Sequence, residues 1–374
     1  MMDSGGLAGW LRLVAVPGIG GETQRRLLGA FGLPEAIFSA PGSALRSVIG
    51  ADAAAQLISH DSSEEVAAAL EWAVQPGNAL LTLADAAYPR LLLESGDPPV
   101  LLYAKGRIEL LARPSVALVG SRNATKQGEQ NAEAFAETLS AAGLAVVSGM
   151  ALGIDAAAHR GALRGPGSTI AVIGTGIDRI YPARNADLAR QIAEQGVIVS
   201  EFSLGTPPLA ANFPRRNRII AGLARGCLVV EAAERSGSLI TARLAGDAGR
   251  EVFAIPGSIH SPLAKGCHKL IKQGAKLVDD AKDILEELKV TIPEPPQYPL
   301  PSGRGTGEGP QEKIAPEGSQ EALLLAALGH DPCSINVLAD RTNLTADTLL
   351  AMLLPLELEG RVAQLPGGLY QRTN

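Results

Sequence analysis

The sequence predicts an α/β protein: a Rossmann-like, doubly wound, mostly parallel sheet, preceded by a small helical domain of helix-hairpin-helix or SAM-like type and followed by a winged-helix-like domain. Three observations carry this. From Ser115 onward, six short apolar runs alternate with helix-like segments. The first 75 residues carry helical patterning with little strand signal. Beyond residues 291–317, which hold seven prolines and four alternating glycines, the chain reads as three short helices and a hairpin. The expected boundaries are 1–75, 76–290, 291–317 and 318–374.

In chain order, residues 7–72 read as short helices. Val16-Pro17-Gly18-Ile19-Gly20 followed by Thr23–Leu28 has the outline of a helix-hairpin-helix, in which glycines free N–H groups at a helix start for a phosphate. A plain helical hairpin with glycine in its turn explains the same residues, and only four basic residues precede position 90. Asp85–Lys105 reads as a turn-rich connector ending in the apolar run Val100–Tyr103. Then come Val116–Val119, Ala145–Val147, Ile170–Ile173, Val197–Val199, Leu228–Val230 and Val252–Ile255. Short continuous apolar runs suit strands buried on both faces, hence a parallel sheet. Gln127–Ala142 and Asn185–Glu194 supply two of the intervening helices, completing repeated βα units. Residues 291–317 cannot build a core and read as a linker. The final module has the winged-helix outline, but Thr345–Glu359 contains no Lys or Arg, and residues 317–374 carry three basic against seven acidic side chains. A duplex-reading winged helix needs a basic third helix and wing, so this module is expected to pack or to bind protein.

Composition narrows the class. The formal net charge is −6 and aromatic residues make up 3%. Charge is unevenly distributed: 7 basic against 12 acidic residues over 1–111, 21 against 17 over 112–290, and 5 against 10 thereafter. Any nucleic acid should therefore meet the middle block. No apolar run reaches the roughly 18 residues of a membrane span, and Asp3 with no basic n-region gives no secretory signal. Cys227, Cys267 and Cys333 form neither a CxxC nor an even framework, which suits a reducing cytoplasm and supplies no metal site.

Ligands of an open parallel sheet bind at the carboxyl ends of its strands, and here those ends are rich in small residues. They read Gly120-Ser121-Arg122, Ser148-Gly149-Met150-Ala151-Leu152-Gly153-Ile154-Asp155, Gly174-Thr175-Gly176, Ser236-Gly237-Ser238 and Pro256-Gly257-Ser258. Glycine lets an anion approach the backbone, and hydroxyls add donors. Phe213-Pro214-Arg215-Arg216-Asn217-Arg218 brings three arginines beside an aromatic ring. Arginine pairs with phosphate through two parallel hydrogen bonds, and phenylalanine offers a face for a base. The plainer reading of that cluster is a charged helix start paired with carboxylates, of which Glu201 is one candidate. Gly174-Thr175-Gly176-Ile177-Asp178-Arg179 lacks the third glycine of the dinucleotide fingerprint, and no GxxxxGK[ST] loop is present. Asp155 and His159 share a helix face and read either as an acid–base pair or, better, as a helix-start carboxylate and a satisfied structural histidine. No nucleophile or metal cluster accompanies Glu231 and Glu234, so no catalytic residue, cofactor or metal is assigned.

Ser148–His159, Phe213–Ile220, Val230-Glu231-Ala232 with Ser236-Gly237-Ser238, and Pro256-Gly257 resemble the DNA-processing protein A (Smf) family, from about Val116 to Val278. The resemblance implies a cytoplasmic, non-enzymatic protein, a dimer, that binds single-stranded DNA and loads the RecA recombinase onto incoming strands in natural transformation. It implies a site of Gly120, Ser121, Arg122, Ser148, Gly149, Gly153, Phe213, Arg215, Arg216, Asn217, Arg218, Ser236, Gly237 and Lys265. Arg122 would hold phosphate, and Phe213 would stack a base. Family members often carry a basic residue just before the phenylalanine. Leu209-Ala210-Ala211-Asn212 supplies none, and Thr175 leaves the third-strand loop uncharged. The alternative is a nucleotide-hydrolysing enzyme of the lysine-decarboxylase-like phosphoribohydrolase type, whose PGGxGTxxE signature is missing.

Overall fold

The computed structural model describes residues 4–290, 320–328, 332–342, 344–365 and 369–373. The expected linker at 291–317 lies outside the described residues. The chain divides into two compact units.

The larger unit is built on nine strands: β1 (Asn78–Thr82), β2 (Leu101–Gly106), β3 (Ser115–Val119), β4 (Ala145–Ser148), β5 (Thr169–Val172), β6 (Val197–Ser200), β7 (Gly226–Val229), β8 (Glu251–Ala254) and β9 (Lys276–Leu277). Their order is β1-β2-β6-β5-β4-β3-β7-β8-β9. Neighbours from β6 to β9 are parallel, while β2 runs antiparallel to β6 and β1 antiparallel to β2. The six apolar runs are β3 to β8. Residues of one strand separate by parity: Ala117 and Val119 enter one core, Val116 and Leu118 another. With helices on both faces, neither set meets water, which is why these strands read as unbroken apolar runs.

Successive crossovers carry the chain from β3 outward through β4, β5 and β6, and the next one returns it to β7 on the far side of β3. The β3–β7 junction is thus the point where strand order reverses, and the crevice above it is the ligand position of a doubly wound sheet.

Residues 4–73 form six helices: Ser4–Ala15, Gly21–Phe31, Pro34–Ser39, Gly42–Ile49, Ala51–Ser59 and Ser63–Ala73. Their apolar faces share a core with the β1–β2 edge of the sheet. Trp10, Leu13 and Leu27 cluster with Leu80, Leu101, Tyr103 and Ile198. Helices and sheet accordingly fall in one compact unit. The apolar run Val100–Tyr103, which sequence pattern leaves at the end of a connector, extends the sheet as β2.

The smaller unit has helices Gln320–Leu328, Ile335–Thr342 and Ala346–Leu358, and strands β10 (Cys333–Ser334), β11 (Val362–Leu365) and β12 (Leu369–Arg372) in the order β10-β12-β11. Leu324, Leu338, Leu349, Leu353 and Tyr370 make its core. This is the winged-helix arrangement, and its third helix carries no basic residue. No described helix is long and apolar enough to cross a membrane.

Candidate functional site

A cavity of about 710 Å³ opens above the β3–β7 junction. Its rim begins with Gly120-Ser121-Arg122, the continuation of β3. Two bonds pin this loop: Ser121 N–H donates to Glu231 O at 2.8 Å, and Ile154 N–H donates to Ser121 O at 3.2 Å. Gly153 makes the second approach possible. It sits at φ +71°, and a Cβ there would stand 2.4 Å from Ser121 O. Across the cavity, Ser236 and Gly237 precede the helix Ser238–Asp247, and Asn217 Nδ2 reaches Gly237 O at 3.5 Å.

The arginine motif lies on the helix Asn212–Leu223. Helical periodicity divides it. Phe213, Arg216, Asn217 and Ile220 face the cavity, whereas Arg215 and Arg218 face the other way. Arg216 is the most buried of the three arginines, at 4% exposure. It occupies space that Gly149 leaves open, since a Cβ at Gly149 would fall 1.4 Å from Arg216 Nη1. Its Nε has no hydrogen-bond partner among the described residues. Burial, and then the nearby Arg122, pull its pKa down to about 10, against the attraction of Asp155, so it stays charged at neutral pH. Asp155 is buried too and accepts from Ala151 N–H at 3.3 Å. Burial pushes its pKa up, with Arg216 the main opposing influence. Above them, Arg122 stands 5.4 Å from the centre of the Phe213 ring.

Eight of the expected residues therefore line one cavity: Gly120, Ser121, Arg122, Phe213, Arg216, Asn217, Ser236 and Gly237. Gly149 and Gly153 lie behind it as spacers. Ser148 is fully buried with its hydroxyl donating to Leu118 O at 2.6 Å, so that hydroxyl is spent on the sheet. Lys265 begins the helix Lys265–Lys272 and turns its ammonium back onto Ile259 O, away from the cavity. The expectation of one pocket for Arg215 to Arg218 is corrected by the helix period. Arg218 pairs with Asp97 at 2.9 Å and with Glu201, and Arg215 stands 3.9 Å from Glu201. The ion-pair reading of the cluster describes one face of the helix, and the other face lines the cavity.

Asp155 and His159 are not an acid–base pair. His159 is fully buried, its Nε2 accepts from Met150 N–H at 3.3 Å, and its Nδ1 faces Thr169 Oγ1 at 2.7 Å. Thr169 gives its own proton to Val146 O, so Nδ1 carries the imidazole hydrogen and the ring is neutral. Burial, reinforced by Arg216 and Arg160, holds its pKa at about 3.

Two cavity residues escape the sequence reading. Tyr181 is 46% exposed, with its ring centre 5.6 Å from that of Phe213. An exposed tyrosine in a chain this poor in aromatics was the available signal. Arg235, exposed on the opposite rim, supplies the cation that the residues before Phe213 do not.

Fold and site together define a doubly wound α/β protein with a cationic crevice at its topological switch point and no dinucleotide fingerprint beneath it. The family model of DNA recombination-mediator protein A matches residues 79–289, and that of the DprA winged helix domain matches residues 308–368. The chain is 40% identical over 96% of its length, and 94% of the relative's, to protein Smf of Escherichia coli K12. It is 51% identical to DNA processing protein DprA of Streptococcus pneumoniae over 56% of this chain and 73% of that one. The crystal structure of DprA from S. pneumoniae superposes with a TM-score of 0.66 at 40% identity, covering 75% of this chain and 97% of the other. A structure of DNA processing protein A from Helicobacter pylori, described for its single-stranded DNA binding mode, gives a TM-score of 0.51 at 31% identity over 56% and 95% of the two chains. This chain belongs to the DNA processing protein A family.

Proposed function

We propose that the protein binds single-stranded DNA in the β3–β7 cavity and acts without chemistry, as a mediator that delivers the strand to RecA in transformation and recombination. The observation that carries the reading is Arg216. A guanidinium at 4% exposure with an unpartnered Nε is a costly arrangement that an incoming phosphate relieves. Arg122 and Arg235 add charge on the rim, and Phe213 with Tyr181 offers aromatic surface for bases. Such a site tolerates any sequence and weakens with salt. The DNA-binding relative from H. pylori supports the assignment.

Asp155 is the cavity's sole carboxylate among the described residues, and it is tied to the Ala151 N–H and to the field of Arg216. That favours binding over phosphoribosyl hydrolysis. Dimerisation would place two such cavities together and raise affinity through effective concentration. The protein would work in the cytoplasm.

Fluorescence anisotropy with a labelled oligodeoxythymidine over a salt series tests the binding. The wild-type protein should bind with a steep salt slope, and Arg122→Ala should lower that slope by about 0.7 for one lost phosphate contact. An unchanged slope and affinity would remove the cavity from the reading. A strand-exchange assay with RecA and a single-strand-binding protein tests delivery separately.

A further inference from the structure

A second cavity, of about 470 Å³, lies on the other face of the helix Asn212–Leu223. Its floor is Glu201, just past β6, with a side chain 8% exposed. One carboxylate oxygen is held by Arg218, while Oε1 is buried without a partner among the described residues. Its wall is the turn leading from Gly18, at φ +77°, into the helix Gly21–Phe31. That helix start has no side-chain cap: Gly20 stands at the N-cap, and Gln24 makes the first intrahelical bond to it. The N–H groups of Gly21, Glu22 and Thr23 therefore lack intrahelical acceptors and favour an anion. At the mouth stands Arg215, its side chain 56% exposed and its guanidinium 5.3 Å from the centre of the Phe202 ring.

The two ends of this cavity ask for opposite things. The helix start and Arg215 suit a phosphate, whereas Glu201 Oε1 needs an N–H donor. Inorganic phosphate answers only the first need. A nucleotide answers both, because every base carries an N–H on its pairing edge. We propose that the Gly18–Gly21 turn, Arg215 and Glu201 form a second nucleotide subsite for the same strand. Phosphate sits at the helix start, and a base N–H donates to Glu201. This rests on the reading of the first cavity as the strand's main site. The helix between the two cavities is about 10 Å across, so a strand must continue past the nucleotides held in the first cavity to reach the second. Short strands reach only the first cavity, and longer ones reach both.

The test variant is Gly20→Asp. Gly20 has φ −76° and ψ 170°, and a Cβ there meets nothing within 4 Å. Aspartate is a preferred N-cap, so helix and melting temperature should hold or rise. The new carboxylate, however, takes the N–H groups and repels phosphate. Gly20→Asn caps without the charge, and Arg215→Ala removes the rim cation. Binding is measured with a labelled tetranucleotide and a 12-mer. For Gly20→Asp and Arg215→Ala, the 12-mer should weaken about tenfold, the worth of one charged hydrogen bond, while the tetranucleotide is unaffected. Gly20→Asn should lie between wild type and Gly20→Asp. A 12-mer with full affinity for Gly20→Asp, or equal weakening of both lengths, overturns the subsite. A 12-mer made abasic in its outer four nucleotides at either end that loses no affinity overturns the base contact to Glu201. If wild type binds neither length, the main site itself fails, which is a different result.

Discussion

Arg216 and Arg218 stand two residues apart on one helix, share a chemistry, and have opposite surroundings. Arg218 meets Asp97 and Glu201 and is satisfied within the protein. Arg216, buried more deeply, keeps an Nε without a partner and faces a crevice. One arginine is spent on ion pairs within the fold, and the other lines the cavity with part of its bonding capacity unused. The pair shows why a cluster of like charges in a sequence should be read face by face. A helix can place two neighbours in environments whose energetics have opposite sign.

The largest effect should come from breaking the satisfied side. Arg218→Ala strips buried Glu201 of its nearest cation and leaves only Arg215 at 3.9 Å, and loss of one member of a buried pair costs on the order of 3 kcal/mol. Urea unfolding should show that loss directly. The same truncation at the unsatisfied side should behave otherwise. Arg216→Met removes a buried, incompletely bonded charge and fills the space with a side chain of similar length, but it also takes the cation from buried Asp155, so stability should fall by less than in Arg218→Ala. Affinity for single-stranded DNA should fall ten- to a hundredfold, corresponding to about 1.5–3 kcal/mol for a charged hydrogen bond. A melting temperature that drops as far in Arg216→Met as in Arg218→Ala would erase the distinction between them.

Acid sensitivity offers a sharper probe of the same contrast, because Arg216 also presses on His159. The histidine is neutral in the fold with a pKa near 3. In the unfolded chain it titrates near 6.5. Below that value the unfolded state binds a proton that the folded state refuses. Stability is therefore intact above about pH 6.5 and should fall by up to about 1.4 kcal/mol for each unit below it. Asp155, whose pKa is raised, acts in the opposite sense, but it is common to wild type and His159→Gln. The difference between their stability curves isolates the histidine. His159→Gln should give the flatter curve, and parallel curves from pH 7 to 5 would contradict a neutral buried imidazole.

Much of this architecture was legible in the sequence because burial on both faces leaves a continuous apolar signature. Strands β3 to β8 all carry it. Asn78–Thr82, only partly buried, and the two-residue Lys276–Leu277 do not, and their pattern does not mark them as strands. The site was legible as a set of residue types at strand ends. Its division was not. Helix period alone separates Arg216 from Arg215 and Arg218, but which face would meet Asp155 and which Glu201 depends on crossovers that bring together residues far apart in the chain. Lys265 illustrates the converse. It opens a helix after the loop that follows β8, yet its amine is drawn back onto Ile259 O in that loop, an interaction without a sequence pattern.

The smallest expected effect concerns the aromatic pair, the part of the cavity that charge does not explain. Tyr181 and Phe213 lie 5.6 Å apart at 39°, too oblique for parallel stacking on one another. Phe213 is also hemmed in: a Cβ on Gly174 would stand 3.1 Å from its ring, and Arg122 covers it at 5.4 Å. Its free surface is therefore small, and Tyr181, nearly half exposed, presents the larger open ring. A base entering the cavity would use Phe213 as an edge and Tyr181 as a platform. Tyr181→Ala should then cost about 1 kcal/mol, near fivefold in affinity, at the low end of base–aromatic stacking. The salt slope should not change, because no phosphate contact is lost. Tyr181→Phe should restore full binding, since the ring and not the hydroxyl carries the contact. If Tyr181→Ala instead lowers the salt slope, the tyrosine acts by positioning an arginine, and the division of labour between charge and stacking in this cavity must be redrawn.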